Sequence, residues 1–64
     1  MDGVAPNKGE ASPCVEVVEA CGEWFVRVID GNHKIIRSFE IEQVALTFAE
    51  GQRIRLGLDQ ITRI

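Results

Sequence analysis

A small α+β domain is predicted, a three-stranded antiparallel meander sheet covered on one face by a C-terminal helix (β-β-β-α). Three observations predict it. Asp30-Gly31-Asn32 is the most turn-prone stretch, and strand-like runs flank it. A second tight turn at Cys21-Gly22 selects the same buried face as the first. After Phe39 the apolar spacing changes from alternation to Ile41, Val44, Ala45, Phe48 and Ala49, the period of an amphipathic helix.

With Gly31-Asn32 as the loop, Trp24 faces Phe39, Val26 faces Arg37 and Val28 faces Ile35. One face then carries Trp24, Val26, Val28, Ile35 and Phe39, and the other carries Phe25, Arg27, Ile29, Lys34, Ile36 and Ser38. Cys14 to Ala20 reads as the first strand. Across the Cys21-Gly22 turn, Val17 meets Val26 and Val15 meets Val28 on the apolar face, while Glu16 meets Arg27 on the other. Strands are therefore expected near 14–20, 23–30 and 33–39.

A sheet with one apolar face needs a cover. Ser38 is a candidate N-cap for the covering helix, and Glu40 and Glu42 suit its first turn. Two ends are open to it. It stops at Gly51, leaving residues 52–58 as a fourth strand, or it runs through Gly51 and ends at Gly57 with Arg53 and Arg55 in its last turn. The longer helix, about 40 to 56, is preferred, at roughly 1 kcal/mol for the internal glycine. Asp59 to Ile64 reads as a final turn. Trp24, Val26, Phe39, Ile41, Val44 and Phe48 are the expected core.

Residues 1–13 mix Gly, Pro, Asn and Ser without apolar periodicity and are expected to be a flexible arm, leaving 14–64 as the single domain. Sixty-four residues lie near the lower limit for independent folding. The net charge of -3 is uneven: residues 1–32 hold two basic and six acidic side chains, residues 33–64 five and four. Overall acidity opposes non-specific affinity for phosphate backbones. No apolar stretch reaches membrane-spanning length and no signal pattern opens the chain, so a cytoplasmic protein without membrane contact is expected.

Little in the sequence suggests catalysis. Cys14 and Cys21 are seven apart, are not a CxxC pair, and fit free thiols. One histidine, His33, leaves a zinc site within one subunit short of ligands. His33 beside Asp30 is explained by the turn, and no nucleophile, base and orienting group assemble. The expectation is no enzyme activity, no cofactor and no metal. Residues 51–55 lack the spaced glycines of a phosphate-binding loop.

One feature does point outward. Val18, Phe25, Ile29 and Ile36 gather on the sheet face that the helix leaves bare, and the long helix adds Ile54 and Leu58 on its outer side. Surplus apolar surface on so short a chain suggests association. The expected function is a non-enzymatic binding or assembly module, a homodimer or a complex with another protein through those six residues. The alternative is a nucleic-acid-binding domain using Lys34, Arg37, Arg53 and Arg55.

Overall fold

The computed structural model describes residues 11–64. In chain order it forms β1 (Ala11–Ala20), β2 (Glu23–Gly31), β3 (His33–Phe39), α1 (Glu42–Leu56) and β4 (Thr62–Arg63). The sheet order is β3-β2-β1-β4, with an antiparallel meander and β4 parallel to β1. β1 starts three residues earlier than expected, so Ala11, Ser12 and Pro13 belong to a strand rather than an arm. Its register shifts between Ala11 and Cys14, where proline interrupts the ladder. The rest of the expected arm lies outside the described residues.

Both turns set the expected registers. Cys21 and Gly22 take positive φ, 53° and 81°, as a two-residue hairpin loop requires. The Glu19 carboxylate accepts a hydrogen bond from the Gly22 amide at 3.1 Å. Val17 then pairs with Val26 and Val15 with Val28. Beyond Gly31, Trp24 pairs with Phe39 and Val28 with Ile35.

Four valines and two alanines form the fully buried core: Val15, Val17, Val26, Val28, Ala45 and Ala49. The alanines let α1 sit close over β1 and β2, the two central strands. Trp24, Phe39, Leu46, Phe48, Leu56, Leu58 and Ile61 pack around this centre. Phe39 meets Phe48 with ring centroids 5.5 Å apart and planes tilted by 42°, joining β3 to the helix.

Two expected core residues lie outside. Ile41 is 61% exposed and Val44 47%. The helix starts at Glu42, with Ile41 as an extended N-cap residue whose side chain makes no capping bond. Ser38 is in β3 and does not cap the helix. Two apolar stripes overlap on this helix, and the one holding the small residues faces the sheet. That choice also leaves β3 partly uncovered, with Ile35 39% exposed on the helix side.

Helix α1 continues through Gly51 and ends at Leu56. Gly57 takes φ 72°, its amide donates to the Ile54 carbonyl at 3.1 Å, and the Leu58 amide donates to the Arg53 carbonyl at 3.0 Å. This is a Schellman closure, and it turns the chain back toward the core. Leu58 and Ile61 therefore pack inward, correcting the expectation that Leu58 extends an outer stripe. The expected final turn is instead β4, whose extension reaches Ile64; the Ile64 amide donates to the Val17 carbonyl at 2.9 Å.

Candidate functional site

On the bare sheet face the register sets side chains in rows. Ser38, Phe25 and Val18 form one row, Ile36, Arg27, Glu16 and Thr62 the next, and Lys34, Ile29 and Cys14 the third. Val18, Phe25, Ile36 and Ile64 surround Glu16 and Arg27 in a shallow groove of about 260 Å³.

The polar pair that lines it is bonded to itself through one carboxylate oxygen. Arg27 Nε donates to Glu16 Oε1 at 2.6 Å, and Nη2 approaches the same oxygen. Both side chains are partly shielded, Glu16 at 20% exposure and Arg27 at 43%. A cross-strand ion pair of this kind contributes a few tenths to about 1 kcal/mol. Its larger effect is on charge: a partner covering the groove meets a neutralised pair rather than a lone ion.

The six residues expected at an interface divide among the groove, the sheet face beside it, the outer side of α1 and the core. Val18, Phe25 and Ile36 line the groove, with Ile36 the most exposed at 57%. Ile29 shares that face but lies a row away, opposite Cys14 and Lys34. Ile54 is 63% exposed on α1, and Leu58 packs on the core. Sequence reasoning missed Ile64. Its only signal was the β-branched Ile61, Thr62 and Ile64, too short a run to announce a strand.

The four basic residues do not gather on one surface. Lys34 and Arg37 alternate on β3 and project to opposite faces. Arg53 is held by Glu50, with Nε 3.0 Å from Oε2, and donates through Nη1 to the Leu58 carbonyl at 2.9 Å. The Glu50 hydrogen bond raises the Arg53 pKa, and the Arg53 hydrogen bond lowers that of Glu50. Arg55 contacts Gln52 and lies 3.7 Å from the Asp30 carboxylate. Asp30 is thus directed to Arg55 although His33 stands opposite it in register.

Cys14 is half-buried and Cys21 exposed, both free thiols. Among the described residues, no cluster of three or more His, Cys, Asp or Glu could hold a metal ion. No helix among them is long and apolar enough to cross a membrane. No known protein family, curated protein or solved structure matches the chain.

Proposed function

We propose that the protein is a non-enzymatic assembly module that self-associates through the bare sheet face. The observation that carries this reading is the apolar groove of Val18, Phe25, Ile36 and Ile64 around a closed Glu16–Arg27 pair, on the side that α1 leaves open. Burial of side chains of this size contributes about 1.5–3 kcal/mol each. Association costs several kcal/mol or more, and a two-fold arrangement buries the same patch twice. The acting form is a homodimer or higher assembly in the cytoplasm, without cofactor.

Sedimentation from micromolar to sub-millimolar concentration tests the reading. A species heavier than the 7.1 kDa chain is expected, reduced by Phe25→Glu or Ile36→Glu. A monomer across the whole range overturns it. The nucleic-acid alternative rests on Arg37, which has no ion-pair partner among the described residues. Salt-sensitive binding to a DNA or RNA duplex, weakened by Arg37→Ala, would favour it.

A further inference from the structure

β3 is an outer strand of the sheet, and one whole side of its backbone is open. In a hairpin with a two-residue loop, the pair that closes the loop is hydrogen-bonded, and bonded pairs alternate from there. Asp30 and His33 close the second hairpin, so His33, Ile35, Arg37 and Phe39 turn their amides and carbonyls toward β2. Lys34, Ile36 and Ser38 turn theirs outward. The same rule at the Cys21-Gly22 hairpin turns Val17 away from β2, and its carbonyl does accept the Ile64 amide at 2.9 Å. Among the described residues, no backbone group outside the sheet ladder bonds to the outward side of β3. Such a row of donors and acceptors calls for another extended strand.

Little blunts this edge. Its ladder with β2 is unbroken from Trp24–Phe39 to Asp30–His33. The other side of the sheet differs: β1 carries Pro13 and a register shift, and β4 takes up part of its edge. Because α1 lies over β1 and β2, Ile35 stays 39% exposed on the helix side of β3, and Ile36 is 57% exposed on the other. Lys34 is the one residue here that ordinarily discourages edge pairing, so the register decides what fits.

We infer that this edge takes β3 of a second copy, antiparallel, about a two-fold axis at Ile36, so that two sheets become one. Ile36 is the middle residue of β3, and the outward groups are centred on it. Ile36 then pairs with Ile36 and Lys34 with Ser38 on either side, which bonds every outward amide and carbonyl of these three residues. No cation meets a cation: Lys34 faces Ser38, and Arg37 faces Ile35, whose exposed side chain its methylenes can cover. An axis at Arg37 would set Arg37 opposite itself. One at Ile35 would set Arg37 opposite His33 and Ser38 against the turn. The strand therefore matches itself in length, bonding and charge, as an isologous contact requires.

The pairing goes beyond the groove reading, because it uses backbone at the edge and leaves both grooves open on one side of the joined sheet. The two can be tested apart. A chain of 64 residues can be assembled by chemical synthesis and ligation, with an N-methyl amide at Ile36. The methyl removes an outward N–H and stands in the seam, while the side chain and the ladder to β2 are kept. In the Phe25→Glu background, a dimer near twice 7.1 kDa is expected, and the N-methyl group should weaken it about tenfold or more with far-UV circular dichroism unchanged. Ile36→Glu would strike groove and edge together. Should Phe25→Glu unfold the chain, Ile64→Glu serves instead, its side chain being 71% exposed. Should the N-methyl chain fail to fold, Ser38 gives a second measure at an exposed site. Ser38→Lys faces Lys34 of the other copy and should weaken association, whereas Ser38→Glu should tighten it. A monomer in the groove-variant background overturns the edge pairing. So does an association constant unmoved by the N-methyl group or, where that chain does not fold, by both Ser38 substitutions. If Phe25→Glu has no effect but the N-methyl group does, the groove reading fails and the edge pairing stands.

Register has its own readout. With Cys14→Ser and Cys21→Ser in place, mixing Lys34→Cys and Ser38→Cys chains should give a disulfide-linked heterodimer, because the pairing sets those positions opposite each other within bridging reach. Lys34→Cys chains linking to one another as readily would overturn the arrangement about Ile36.

Discussion

The Arg63 guanidinium stands 5.8 Å from the ring centroid of Trp24, and its Nη2 also lies 3.1 Å from Glu42 Oε2. One side chain from β4 thus touches β2 and the first turn of α1. A cation over the face of a surface indole, as at half-buried Trp24, contributes about 0.5–1 kcal/mol, and an exposed ion pair at most about 1. Arg63→Ala should lower unfolding free energy by about 1 kcal/mol in urea denaturation. Arg63→Lys should recover part of that loss.

Core and margin should separate sharply. Val26 is fully buried between β1 and α1, so Val26→Ala should cost about 2 kcal/mol, from lost burial and the cavity left behind. Trp24→Ala should cost about 3 kcal/mol or more, a large part of the stability of so small a domain. Ile41→Ala should change monomer stability by less than about 0.5 kcal/mol, as a surface position does. Chemical denaturation of the three variants compares them directly.

Glycines 51 and 57 should answer alanine in opposite directions. Gly51→Ala should stabilise the monomer by about 0.5–1 kcal/mol, since the added methyl meets open space in a helical backbone. Gly57→Ala should destabilise by about 1–2 kcal/mol, because φ 72° crowds any Cβ. Melting temperatures should move up for the first and down for the second.

Glu50 sets a small acid-side dependence. Its carboxyl pKa is lowered, first by the hydrogen bond from Arg53. A lowered folded-state value stabilises fully above the unfolded value and is lost as pH falls through the folded one. Glu50→Gln should therefore reduce stability at neutral pH but leave it unchanged once the carboxyl is protonated. The effect should be small, because the pair is at the surface. Arg53 works with the opposite sign, its contribution fading only in strong alkali.

The meander was legible because its two turns constrain one another. Cys21-Gly22 and Gly31-Asn32 each admit few registers, and together they align Val15, Val17, Val26 and Val28 on one face. The phase of the helix was not. Ile41 and Val44 share the helical period with Ala45 and Ala49, and hydrophobicity alone favours the larger pair. Close approach to a sheet of valines favours the smaller one. The candidate groove was legible in Val18, Phe25 and Ile36, whose alternation follows from the registers. Ile64 was not, since its place depends on a return of the chain that Gly57 only permits.

The parallel pairing of β4 with β1 has a consequence in time. Both hairpins join residues close in the chain, whereas Glu16 meets Thr62 only after the whole of β2, β3 and α1 has intervened. Closing so long a loop is entropically dearer than closing either turn, and its reward is a ladder of two residues. β4 should therefore join last and leave first. In native-state hydrogen exchange the Ile64 amide, bonded to the Val17 carbonyl, should open at a free energy well below that of the Val26 and Val28 amides. The groove would then lose one wall, at Ile64, in every such opening while the meander beneath it stays folded.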